Sequence, residues 1–532
     1  MKKKVCVIGA GPSGLVTIKE LIANDIDVTC YEIQDEIGGA FRSIQDGGRS
    51  YDSLELTVSN YFMAYSDFMP NTNEERKYWK VHEYREYLDA YVKKHKLKNY
   101  ILFSHEIISA HIRNSKIEVK GTHAKEEFSE IFDHMIICTG SNFTPKSPDF
   151  DGQDLFEGKI IHSSAYNNNQ AYKGKKVVCV GLGESGADVV HEIGQVTSCK
   201  VLVSEYPNII ARWINGYTND AFTSYCFYAM KKKGIDTYMR LKAKFYLKYG
   251  KKVKDSDRLI QEWTLNRESF MGKFFTKNDI FIQDILDGKV EMIKDSIKSL
   301  TKNGIITQSG KKISSDVILC NTGYQTCFKK YAFGDYFVDP RSLYKQMIHS
   351  ELGTLVSVVG WARPSQGGLP ACSEMQARYI ALLIAGKKEL PIKKQIEEEI
   401  KVDRTYYDDM FYHSKKIRSL VSYHDFMITM AELIGCKPKL WYWSDMNLTL
   451  KMFFGSHLPY FYRLKQSEQK ANSIKLIKSL PIAYSFRRLL IVLLFICLYN
   501  PLFWLIGYKT TSSSRMDKRK TIKGKLWKLA RS

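Results

Sequence analysis

The chain has no cysteine pair spaced as C-x-x-C; its eleven cysteines are scattered over 532 residues without regular spacing. That pattern argues against a paired-thiol redox centre, a zinc site and a disulfide framework, and reads as free thiols in a reducing compartment. No helix-turn-helix, zinc-finger or RNP-like pattern accompanies the formal net charge of +22, so nucleic acid is not the expected partner. No Ser-His-Asp or Cys-His constellation suggests a protein nucleophile. Low-complexity tracts are absent too. A cleavable leader is not expected either: the basic start MKKK runs into only four apolar residues before Gly9. At this length, two or three domains are the prior.

What is present begins at residues 5–15, VCVIGAGPSGL. VCVIG reads as a buried parallel strand, followed by a glycine-rich turn at Gly9, Gly11 and Gly14 and then a helix. In such a turn the first glycine allows the tight bend and the second lets backbone reach a diphosphate. The third lets helix and strand pack closely, and the helix N-terminus faces the phosphates. Ala10, Pro12 and Ser13 belong to the same cradle. The next strand, DVTCYE, ends at Glu32, eighteen residues after Gly14, where an acid grips a ribose diol. Residues 177–188, VVCVGLGESGAD, repeat the design with Gly181, Gly183 and Gly186. Two such folds in one chain predict two dinucleotides, and two redox cofactors held together pass electrons.

Further stretches carry a resemblance. Phe156, Gly158, His162 and Tyr166 stand in the spacing F-x-G-x-x-x-H-x-x-x-[F/Y], which resembles the identifying motif of the flavin-containing monooxygenases. Related Baeyer–Villiger enzymes end that motif in Trp, so Tyr166 favours the first group. His162 is expected to couple domains and not to act in acid–base catalysis. The resemblance, microsomal in type, implies FAD in the first site, with Gly39, Ala40 and Phe41 of IGGAFR (37–42) and Thr139-Gly140 contributing. It implies NADPH in the second, touched by Ser185, Gly186, Ala187 and Asp188. Glu205 departs from the pattern, because an acid there repels a 2′-phosphate and leaves NADH open; Arg212 is the expected phosphate clamp. The segment 51–68 resembles the one carrying the family's active-site asparagine, here Asn60, flanked by Ser59 and Tyr61. DVILCNTGYQT (316–326) resembles an A-T-G-Y motif with Asn321 in place of Ala, and Gln376 lies in the stretch that closes over the flavin.

The fold implied is α/β: an FAD domain (1–155 and 320–390) with an inserted NADP domain (156–319), which carries a helical excursion at about 213–275. A helical extension (391–485), a hydrophobic anchor (486–508) and a basic tail (509–532) follow. The run at 489–508 holds twenty residues without a charge, interrupted by Asn500-Pro501, and reads as a membrane anchor, spanning or entering one leaflet. The tail from Lys509 holds nine Lys or Arg against Asp517 alone, which suits anionic lipid. The expected location is a membrane, the endoplasmic reticulum in a eukaryote, with the catalytic domains in the cytosol; a homo-oligomer is allowed. The implied activity is transfer of one atom of O₂, through a C4a-hydroperoxyflavin that Asn60 helps to stabilise, to amines or sulfides. Baeyer–Villiger oxidation of ketones and a membrane-held NAD(P)H oxidase or redox-binding module are the alternatives. No metal is expected.

Overall fold

The computed structural model describes residues 2–70, 74–229, 232–250, 254–265, 275–411, 417–465, 467–485 and 489–490. Apart from Leu489 and Leu490, the expected anchor and basic tail lie outside the described residues. Among the described residues no helix is long and apolar enough to cross a membrane. Their ten cysteines are all buried and unpaired.

Strand β1 (Lys4–Ile8) lies at the centre of a five-stranded parallel sheet. The order is Val356–Val358, His134–Ile137, β1, β2 (Asp27–Tyr31) and Ile101–Leu102. Both faces are covered, which is why these strands are unbroken apolar runs. Helix α1 (Pro12–Ile22) packs Leu15, Ile18 and Leu21 against Val5 and Val7. On the opposite face an antiparallel meander, His105–Arg113, Lys116–His123 and Glu126–Phe132, brings Ile107, Val119 and Phe132 onto Cys6, Ile8 and Ile137.

The second sheet repeats the plan. Its parallel order is Lys159–His162, Val317–Cys320, β3 (Val177–Val180), β4 (Cys199–Val203) and Val290–Lys294. Helix α2 (Glu184–Gly194) covers one face through Val189, Val190 and Ile193. The meander Ile297–Thr301, Gly304–Thr307 and Lys312–Ser314 covers the other. Two glycine-rich turns thus follow the central or near-central strand of two similar α/β units, as the spacing predicts. Within the expected excursion, a short hairpin at 213–218 precedes helices Tyr225–Ala229, Lys232–Tyr249 and Asp255–Leu265.

Helix α3 (Leu369–Ile384) buries fourteen of its sixteen residues, so it is a central helix and not an amphipathic cover. It packs on α1 and on the helices beyond residue 390. Those helices, among them Lys393–Met410 and Tyr423–Ile434, do not hang from the molecule. Ile396, Tyr407, Met430 and Phe461 share one continuous core with Leu15 and Ile380.

A buried ion network locks this arrangement. Arg463 Nη2 lies 2.6 Å from Glu374 Oε1 on α3 and 3.4 Å from Glu20 Oε1 on α1, with Asp67 at 3.9 Å. Lys19 pairs with Asp67 at 2.5 Å and with Glu20 at 2.9 Å. Ser66 donates its N–H to Glu374 Oε2 at 2.7 Å and accepts from Arg463 Nε at 2.5 Å. Burial opposes the charge on Arg463, but the carboxylates around it outweigh burial and raise its pKa.

Candidate active site

The first glycine turn is shaped by close approach. A Cβ on Gly14 would lie 1.8 Å from the carbonyl oxygen of Gly9, so no side chain fits where α1 crosses the end of β1. Gly11 precedes α1 in extended backbone, and Leu15 N–H donates to its carbonyl at 3.0 Å. Opposite stands Gly39, in left-handed backbone with φ +55°; its Cβ would lie 3.0 Å from Gly11 Cα. Gly38 N–H donates to Ala10 O at 3.2 Å, closing the base of the cradle. Pro12 opens the helix and its carbonyl accepts from Tyr65 OH at 2.7 Å. Ser13 Oγ is 3.1 Å from Ser373 Oγ on α3.

Glu32 closes the far end. It is buried and accepts from the Ala10 N–H at 2.6 Å and from the Gln34 N–H at 2.9 Å. Burial pushes its pKa up, and those amides oppose the shift. Ala40 O accepts from Ser50 Oγ at 2.9 Å, and the Phe41 ring meets Tyr84 edge-on. Thr139 Oγ1 accepts from Cys327 Sγ at 3.3 Å, and Gly140 faces open space. Helix amides, two opposed glycines and a buried acid just after β2 fit a dinucleotide such as FAD.

At the second turn a Cβ on Gly183 would meet nothing within 4 Å, so a ligand has room above it. Gly186 sits under Asn321, whose Nδ2 donates to Gly181 O at 3.2 Å. Asn321, unusual for the motif it occupies, therefore braces the turn. Ser185 and Ala187 lie on the first turn of α2, Ala187 fully buried.

Three of the expected contact residues have partners within the protein. Asp188 is buried and accepts from Tyr51 OH at 2.6 Å, Asn278 Nδ2 at 2.5 Å and Arg212 Nη2 at 3.1 Å. Arg212 also pairs with Glu55. Its guanidinium is engaged inside the protein with Glu55 and Asp188, a tie across the seam between the two units. Burial raises the pKa of Asp188 while Arg212 opposes it. Gln376 is equally inward: its Oε1 accepts from Gly360 N–H at 3.0 Å and its Nε2 donates to Lys345 O at 3.1 Å. It holds the loop that lies over Ser13.

Asn60 is fully buried beside Tyr61 and Ser59. Its Nδ2 donates to Glu75 O at 3.0 Å and Glu74 Oε1 at 3.1 Å, and its Oδ1 accepts from Tyr61 N–H at 3.0 Å. Tyr61 OH donates to Glu74 O at 2.7 Å. The amide thus organises residues 74–77. Ser59 N–H donates to Asp220 Oδ2 at 2.6 Å, which links this segment to the second unit. His162 Nε2 is 2.9 Å from Gly323 O, and its Nδ1 accepts from Ser164 N–H at 3.0 Å, a bracing geometry.

Sequence reasoning missed two groups. One is the charged seam of Arg76, Glu184, Asp220, Lys277 and Arg363, dispersed over nearly 300 positions with no motif to mark it. The other is a buried histidine pair: His424 Nδ1 lies 2.9 Å from His457 Nδ1, and His457 Nε2 lies 2.6 Å from Tyr462 OH. Burial pushes His424 down to about 4. Among the described residues no cluster of His, Cys, Asp or Glu could hold a metal ion.

Residues 2–478 match the family model described as flavin-binding monooxygenase-like. A 4-hydroxybenzoate brominase (decarboxylating) from Pseudoalteromonas luteoviolacea is 34% identical over 471 residues, covering 87% of this chain and 90% of that protein. Flavin-containing monooxygenase 5 of Rattus norvegicus is 27% identical over 507 residues, covering 90% and 91%. Among solved structures, S-allyl-L-cysteine S-oxygenase from Allium sativum matches with a TM-score of 0.58 at 19% identity, covering 92% of this chain and 97% of that one. The open form of cyclohexanone monooxygenase matches with a TM-score of 0.59 at 16% identity, covering 82% and 98%. These two likenesses show the shared fold. The chain belongs to the flavin-binding monooxygenase-like family and is a flavin monooxygenase with FAD and NADPH as its cofactors.

Proposed function

We propose that this monooxygenase delivers one oxygen atom of O₂ to a soft nucleophile, an amine nitrogen or a sulfide sulfur. When bound, FAD supplies the activation of O₂ and NADPH supplies the hydride. The observation that supports the reading is the seam: Asp188 of the second turn is tied through Arg212 to Glu55 and directly to Tyr51 of the first unit. Two dinucleotide cradles are thereby held as neighbours by a tie in which Tyr51 and Arg212 are buried. Ser59 to Tyr61 are buried as well, and the Ser59 N–H donates to Asp220 of the second unit. No protein nucleophile enters the scheme, so selectivity rests on the shape of the junction.

A second reading has its own support. The brominase is more similar to this chain than the rat monooxygenase, 34% against 27% identity, over comparable spans. Bromide is itself a soft nucleophile, and its oxidation followed by attack on a phenol needs the same cofactors. Ketone oxidation has only structural likeness behind it, and Tyr166 stands where Trp is expected for it.

The test is product analysis with the FAD-loaded chain, NADPH and O₂. The substrates are a tertiary amine, a thioether, a cyclic ketone, and bromide with a phenol. N-oxide or sulfoxide is the expected result. Bromophenol establishes the second reading and a lactone the third; hydrogen peroxide alone with every substrate defeats all three.

A further inference from the structure

Glu184 is the first residue of α2, directly after Gly183, and sits where the free amides of that helix receive phosphate oxygens. Its carboxylate lies between two cations that come from different units. Lys277 Nζ is 3.9 Å from Oε1, and Arg363 Nη2 is 3.6 Å from Oε2. Glu184 Oε1 is buried and takes no hydrogen bond. These are loose ion pairs, too long for hydrogen bonds, around a carboxylate that borrows the positive end of a helix.

The two cations differ in setting. The Lys277 side chain is only 7% exposed, whereas that of Arg363 is 39% exposed. Burial lowers the pKa of Lys277, and Glu184 is the largest charge opposing that shift. Arg363 lies in Arg363–Pro364, just ahead of α3, the helix that packs on the first cradle. Lys277 lies next to Asn278, which bonds Asp188 of α2. A multiply charged anion over Gly183 would meet one arm from each unit, and the guanidinium fork suits phosphate oxygens.

We propose that Lys277 and Arg363 bind the diphosphate of the nicotinamide dinucleotide, and that Glu184 is the internal anion they exchange for it. The proposal rests on the second turn holding that nucleotide. The diphosphate is common to NADPH and NADH, so this pair sets affinity for both. Because the arms come from both units, nucleotide binding also draws the seam together at this point. Glu184 competes with the ligand for the same two cations and the same helix end. Its removal therefore strengthens binding, the reverse of what a stabilising counter-ion would show.

The experiment titrates NADP⁺ and NAD⁺ into the full, FAD-loaded chain and follows the flavin spectrum. Arg363→Gln and Lys277→Gln are expected to weaken both nucleotides by roughly tenfold or more and by similar factors, with FAD content unchanged. Glu184→Gln is expected to tighten both several-fold. If buried Lys277→Gln does not fold, Arg363→Gln at the rim and Glu184→Gln decide the matter. Unchanged dissociation constants overturn the proposal, as does weaker binding in Glu184→Gln. A loss confined to NADP⁺ overturns it too, by assigning the cations to the 2′-phosphate. Unaltered protein that binds neither nucleotide defeats the underlying reading as well, a distinct outcome.

Discussion

Gly11→Val yields a folded protein without yellow colour. Gly11 has φ −74° and ψ −177°, extended backbone that valine adopts without strain. Its Cβ would lie 3.4 Å from Gly39 Cα, an ordinary contact, so the chain itself tolerates the change. The isopropyl group instead fills the space between the two opposed glycines, where a diphosphate must approach backbone amides. Flavin affinity should fall by about two orders of magnitude or more, since the loss covers several charge-assisted hydrogen bonds at once. Gly14→Ala gives a different failure, because its Cβ would overlap the carbonyl of Gly9 and α1 cannot seat on β1. Flavin-to-protein ratio and far-ultraviolet circular dichroism separate the two. A folded Gly11→Val protein with full flavin would remove FAD from the first cradle.

Arg463→Ala lowers stability by about 3–5 kcal/mol, the scale for removing one partner of a buried ion cluster. It leaves Glu20, Asp67 and Glu374 with Lys19 as their one remaining cation in this network. Because Glu374 and Ser66 lie beside the first cradle's helices, flavin retention falls along with the thermal midpoint. Glu374→Gln in the same background recovers part of the loss, since it removes one uncompensated charge. Chemical denaturation of the four proteins of that cycle measures the coupling. Equal midpoints for Arg463→Ala and the parent would show that the C-terminal helices are not held by this network.

The local parts of the design were legible in the sequence. Each glycine turn directly follows its strand, and Glu32 lies within thirty residues of the start of the first; backbone geometry dictates these features almost alone. What depended on distant partners was not. Arg212 lies a few residues after the second unit's β4, the place for a phosphate clamp, yet its fork turns to Asp188 and Glu55. Gln376 lies in a motif, but its amide holds backbone at 345 and 360. The region after residue 390 read as a helical extension without showing which core it joins, and Phe461 joins that of the first sheet. Glu184 stands in the second glycine turn, but its pairing with Lys277 and Arg363 had no signal, because only the folded seam brings them within 4 Å.

The central claim is that two dinucleotide cradles are held together so that hydride passes from one cofactor to the other. The most direct measurement is anaerobic addition of NADPH to the FAD-loaded chain while the visible flavin absorbance is followed. Complete bleaching at one equivalent of NADPH per flavin is the predicted result, with colour returning on admission of O₂. Flavin that stays oxidised while NADPH binds would contradict the account.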